Sequence, residues 1–166
     1  MSLFALADSL AALAPRTTSE ENIKKTLRFQ EVWLNAASIA GTTALAEQAA
    51  GRVKQKCRLV GAAFIPSAGV TANGTNFFTL LVDKRPAALP GTPVNLITFA
   101  ADTPTTDDIA AWTAKEFIGN ATYAPAAAAD YDFAEGDAFT VEVTKSGGAG
   151  LAFPAGSLVL YFEGRD

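Results

Sequence analysis

The sequence predicts an all-β fold, a β-sandwich or jelly-roll-like barrel of about eight strands behind a helical or extended N-terminal arm. Three observations predict it. Short runs of β-branched and aromatic residues alternate apolar with polar at period two, and Gly, Pro and Asn clusters separate them. From Thr26 onward the pattern shifts from helical spacing to strands. Apolar residues supply 49% of the 166 residues and charged ones 18%, enough for a single core and too apolar for a disordered chain.

Residues 1–25 stand apart from this pattern. Leu3, Leu6, Leu10 and Leu13 recur at spacings of three and four, which predicts a short amphipathic helix that Pro15 stops. Thr18 and Glu21 have capping-box spacing and could start another short helix through Lys25. The apolar run is unlike a secretory leader, because no Lys or Arg precedes it and Asp8 interrupts it. The expected division is an arm over residues 1–25, serving assembly, and a sandwich over residues 26–166.

The strands begin with Leu27, Phe29 and Glu31 and run through Val32, Trp33 and Leu34 to Ile39, where Gly41 ends the stretch. Arg52, Lys54, Lys56 and Arg58 then alternate with Val53, Gln55, Cys57 and Leu59, predicting one long strand that continues to Ile65 and closes at Pro66. Asn73-Gly74 marks a turn before the strand Phe77 to Val82, and Pro86, Pro90, Gly91 and Pro93 mark a loop. Val94 to Phe99 is the next strand, Asp102 to Asp108 a surface loop, and Ile109 to Trp112 a helical turn. Lys115 to Thr122 and Tyr131 to Phe133 are weaker strands around the run Ala126 to Ala129. Phe139, Val141 and Val143 alternate with Thr140, Glu142 and Thr144, Gly147 to Gly150 turn a hairpin, and Leu158 to Phe162 form the last strand.

Composition excludes several function classes. With no histidine the chain cannot build a Ser-His-Asp or Cys-His nucleophilic system or a histidine metal site. None of its serines lies in Gly-x-Ser-x-Gly, and Gly147-Gly148-Ala149-Gly150 lacks the helix and lysine that a phosphate-binding loop needs. The single Cys57 has no partner for an internal disulfide and reads as a small buried hydrophobe, consistent with synthesis in a reducing cytoplasm. Asp130, Asp132, Glu135 and Asp137 are spaced too irregularly for an EF-hand and read as a surface turn, with an adventitious calcium site left open. The chain is expected to be non-enzymatic and to need no cofactor.

Charge is distributed unevenly. Residues 1–60 carry 8 basic and 5 acidic groups, whereas residues 101–166 carry 3 basic and 11 acidic ones. A net charge of −4 disfavours nucleic acid as a partner, and no stretch approaches the ~20 apolar residues of a membrane-spanning helix. Arg52, Lys54, Lys56 and Arg58 have two readings: a solvated edge strand protected from aggregation, or a docking site for an acidic partner such as the acidic third of a neighbouring copy. Leu3, Phe4, Leu6, Leu10 and Leu13 either pack on their own sandwich or dock on another subunit.

The stretches Val32-Trp33-Leu34-Asn35-Ala36-Ala37-Ser38-Ile39-Ala40-Gly41-Thr42-Thr43, Phe64-Ile65-Pro66, Val70-Thr71-Ala72-Asn73-Gly74-Thr75-Asn76-Phe77, Gly136-Asp137 and Pro154-Ala155-Gly156-Ser157-Leu158 together resemble head-decoration proteins of tailed bacteriophages. The resemblance spans residues 26–166 and rests on turn and strand patterns. It implies a jelly-roll-like sandwich in many copies, often trimeric, seated on the capsid exterior over junctions between major capsid subunits. A homotrimer that cements the shell is the leading expectation. The alternative is a tail or fibre module that binds host saccharide through Trp112, Tyr123 and Tyr131.

Overall fold

The computed structural model describes residues 28–87, 92–124 and 126–165. The expected arm of residues 1–25 therefore lies outside the described residues. Nine strands follow in order: β1 (Arg28–Asn35), β2 (Leu45–Arg52), β3 (Cys57–Pro66), β4 (Phe77–Arg85), β5 (Val94–Ala100), β6 (Lys115–Glu116), β7 (Asp132–Phe133), β8 (Ala138–Ser146) and β9 (Gly156–Gly164). A short 3-10 turn at Ala128–Tyr131 precedes β7.

Pairing is antiparallel throughout and nested. β1 pairs β9, β2 pairs β8, β3 pairs β6 and β7, and β4 pairs β5. The chain thus forms one long ribbon doubled back on itself. Rolling that ribbon brings β9 against β3 and β8 against β4, which yields two sheets with the orders β1-β9-β3-β6 and β2-β8-β4-β5. This is the jelly-roll topology, an all-β sandwich in which few strands keep an open edge.

The core between the sheets is built from rings. Phe64, Phe78, Phe99, Phe117, Phe139, Phe153 and Phe162 are fully buried. Phe64 stacks on Phe153 at 4.9 Å, and Phe78 meets Phe153 edge-on at 5.0 Å, so one loop residue joins the two sheets. The strands alternate as the period-two pattern requires: in β4, Phe78, Leu80 and Val82 are buried between half-buried Thr79, Leu81 and Asp83. Lys84 continues the inward series as a buried cation, and its Nζ donates to the carbonyls of Asp130 (2.6 Å) and Asp132 (3.0 Å) above the Phe133 ring.

Several expected elements differ. The stretch Arg52 to Ile65 is two strands, because β2 ends at Arg52 in one sheet and β3 begins at Cys57 in the other. Burial does alternate through the crossover, with Val53 and Cys57 inside, but an alternating pattern survives a change of sheet and cannot reveal it. Strand β2 carries no β-former pattern: Ala, Glu and Gln fill it, it is mostly exposed, and β8 holds it through an irregular register. Gly147 to Gly150 do not close a hairpin, since β8 and β9 belong to opposite sheets. Gly150 has φ +58 and sits so close to Gly41 that a Cβ would collide with the Gly41 carbonyl. Ile109 bridges to Val70 instead of starting a helical turn, and the strand expected over Lys115 to Thr122 shortens to Lys115–Glu116.

Candidate docking surface

In an antiparallel pair, residues directly opposite point to the same side, so the register identifies each sheet's outer face. On the β1-β9-β3 face three rows run across the strands: Gln30, Tyr161 and Gly61; Val32, Val159 and Ala63; Leu34, Ser157 and Ile65. Apolar groups dominate. Leu34 is 67% exposed, Val32 44%, and Val60 and Tyr161 40% each. Beyond the Leu34 row, the Trp112 amide donates to the Pro66 carbonyl at 2.8 Å, and the Trp112 side chain is 75% exposed.

The outer face of the other sheet has the opposite chemistry. Thr79, Thr98, Asp83 and Asn95 line it, and the Asn95 amide donates to Asp83 at 2.9 Å. Arg85 Nε and the Thr140 hydroxyl both donate to Glu47 Oε1, at 2.8 and 2.6 Å, and they hold the Glu47 carboxyl below its ordinary range. Asp83 with Asn95, Asn95 with Thr98, and Glu47 with Arg85 and Thr140 satisfy one another, and that face suits water. The molecule thus has one apolar flank and one wet flank, and exposed apolar area concentrated on one face marks a contact surface.

Two backbone features shape the apolar flank. The β3–β9 register shifts between Leu59 and Gly61, so Val60 is a bulged residue pushed outward. The Tyr161 ring lies against Gly61, where an added Cβ would stand 3.1 Å from Tyr161 Cδ2. Between them opens a groove of about 460 Å³ lined by Phe29, Gln30, Val60, Gly61, Tyr161 and Phe162. Trp112 has φ 61, a left-handed conformation that costs a non-glycine residue ~1–2 kcal/mol and that the surrounding structure must impose.

Of the residues singled out in the sequence, Leu3, Phe4, Leu6, Leu10 and Leu13 lie outside the described residues. Arg52, Lys54, Lys56 and Arg58 do not share one strand face, because Arg52 ends β2, Lys54 and Lys56 lie in the crossover and Arg58 is in β3. Nor does the acidic third of the chain lie far from them. Val53 donates to the Asp137 carbonyl and accepts from Gly136, which stitches the crossover to the turn before β8. Arg52 Nε donates to the Gly136 carbonyl at 2.8 Å, and Arg58 pairs with Asp132 at 3.2 Å. The acidic partner for Arg58 is therefore in the same chain, and the charge separation along the sequence closes up in space.

The acidic cluster is absorbed in the same turn. Asp137 accepts the amides of Ala87 and Ala134, Asp130 accepts that of Ala127, and among the described residues no group of three His, Cys, Asp or Glu side chains converges on a possible metal position. Cys57 is fully buried, and burial, with Asp137 and Asp132 nearby, pushes its thiol up to about 11. Tyr123 and Tyr131, expected as exposed saccharide contacts, are 6% and 8% exposed, with hydroxyls donating to Asp107 and to the Leu96 carbonyl. They are core residues, and only Trp112 of that trio reaches solvent. Sequence reasoning passed over Val32, Leu34, Val60 and Tyr161. The run Val32-Trp33-Leu34 held the signal, since a strand apolar on both faces has a second contact to make.

No family model and no curated protein matches the chain. Among solved structures it is similar to a structure of infectious bursal disease virus Gx strain, with a TM-score of 0.43 and 8% identity over 84% of this chain and 32% of that one. It is also similar to a structure of infectious bursal disease virus Gt strain, with a TM-score of 0.31 and 13% identity over 84% of this chain and 31% of that one. The chain spans about a third of the length of the chains it matches.

Proposed function

We propose that the protein is a non-catalytic structural component of a virus particle, a decoration protein that docks across major capsid subunits on the outside of a tailed-phage head. The observation that carries this reading is the asymmetry of the two flanks. Leu34 stands 67% exposed on the apolar flank, and Trp112, 75% exposed, is tied by its backbone amide to Pro66 at the same end of β3, while the opposite flank carries a hydrogen-bonded polar set. Burying a side chain of this size against a capsid subunit contributes ~1.5–3 kcal/mol. Many such contacts, each preferring the intact lattice, stabilise the shell by linkage. The resemblance to head-decoration proteins supports the phage setting, and a homotrimer on the lattice is part of the same proposal.

The test is binding of labelled protein to undecorated phage heads. Saturation at hundreds of copies per particle is expected, and Leu34→Asp combined with Trp112→Ser should weaken binding tenfold or more, about 1.4 kcal/mol, with the circular dichroism spectrum unchanged. Saturation at a handful of copies, confined to the tail, would favour the saccharide-binding alternative. Absence of binding to any part of the particle would overturn the virion reading.

A further inference from the structure

The far end of the apolar flank holds the groove between Val60 and Tyr161, some four residues along β9 from the Leu34 row. We propose that its occupant is the Leu3, Leu6, Leu10 and Leu13 stripe of the same chain. This inference stands independently of what Leu34 and Trp112 contact.

The place where the chain enters the described fold argues for it. Residues 1–27 join at Arg28, the first residue of β1, which lies opposite Glu163. Gln30, two residues on, already lines the groove. The entry point is thus two residues, ~7 Å, from the site. Fourteen residues separate Leu13 from Arg28, a reach of up to ~48 Å when extended, so a reversal at Pro15 can bring the stripe back over the face.

Length and chemistry also match. Read as a helix, Leu3 to Leu13 is ~15 Å long, and the row of Gln30, Tyr161 and Gly61 that floors the groove crosses three strands, ~10 Å at about 4.8 Å per strand, with the bulged Val60 at its edge. The groove presents exposed Val60 and Tyr161, the half-buried Phe29 and a glycine whose missing side chain leaves space, with Gln30 and the Tyr161 hydroxyl as its polar groups. A stripe of leucines spaced three and four apart is the apolar counterpart to such a floor. Asp8 falls off that stripe, so the charge need not enter the groove.

The full-length chain tests this with paired cysteines in a Cys57→Ala background. Leu6→Cys with Gln30→Cys should oxidise to a product of monomer mass at least tenfold faster than Leu6→Cys with Thr79→Cys, a control on the polar flank. Equal rates would sink the proposal, and a disulfide-linked dimer as the main product at low micromolar concentration would assign the groove to a second copy. Should the cysteine variants fail to fold, the natural-cysteine chain carrying Leu6→Asp and Leu10→Asp serves instead. Its NMR amide shifts should change at Gln30, Val60, Gly61 and Tyr161 relative to the parent, and unchanged shifts at these residues would refute same-chain seating.

Discussion

The Tyr123 hydroxyl donates to Asp107 Oδ1 at 2.5 Å in a site where the two residues are 6% and 3% exposed. The other Asp107 oxygen accepts the Thr103 amide at 2.9 Å, so this pair closes the loop after β5 onto the core. Tyr123→Phe removes the donor and leaves a buried carboxylate oxygen unpaired, at a cost of about 1–3 kcal/mol. Thermal unfolding should show a drop of ~2–4 °C per kcal/mol. Burial, reinforced by Asp107, also pushes the Tyr123 hydroxyl up to about 12 from 10.0. The folded state keeps a proton that the unfolded chain gives up, so this contribution is full below pH 10 and is lost as pH rises from about 10 to 12. The stability difference between wild type and Tyr123→Phe should shrink over that window.

The contact between Gly41 and Gly150 makes a sharper prediction. Gly150→Val adds a Cβ at positive φ against the Gly41 carbonyl and should cost about 2–4 kcal/mol in denaturant unfolding. Gly148, where a Cβ meets nothing within 4 Å, serves as the control. Gly148→Ala should fall within ~0.5 kcal/mol of wild type. Equal effects at the two positions would contradict the close approach of these loops.

Arg58 and Asp132 should couple weakly. They lie 3.2 Å apart with side chains 26% and 47% exposed, so water screens the pair. A double-mutant cycle over Arg58→Ala and Asp132→Ala should give a coupling below ~1 kcal/mol that fades in molar salt. A coupling well above ~1 kcal/mol that persists in molar salt would contradict a water-screened pair.

Cys57 should be chemically silent in the folded protein. Its thiol is fully buried and pushed up to about 11 from 9.0. A thiol reagent at pH 8 should label it only at the rate of unfolding, and labelling should become fast once denaturant is added. The folded pKa is the raised one, so this group's contribution is present below pH 9 and disappears between pH 9 and about 11.

What the amino-acid sequence by itself determined is the class of the fold and the identity of its inner faces. Phe78, Leu80 and Val82, or Leu158, Leu160 and Phe162, alternate with their neighbours because a half-buried strand must, and that constraint acts over a few residues. Turn chemistry is equally local, and Asn73, whose side chain accepts the amides of Thr75 and Asn76, was legible for that reason. Strand β2 was not legible, since its Ala, Glu and Gln residues hold their place through pairing with β8 far along the chain. The same distance hid the docking surface. Only the tertiary structure decided that Val60 bulges outward, that Tyr161 covers Gly61, and that the Trp112 backbone is tied to the end of β3 beside the Leu34 row. It also decided that the basic stretch around Arg52 and Arg58 meets the acidic turn of Asp132 and Asp137, because a jelly roll brings opposite ends of the ribbon together and separation along the chain ceases to measure separation in space.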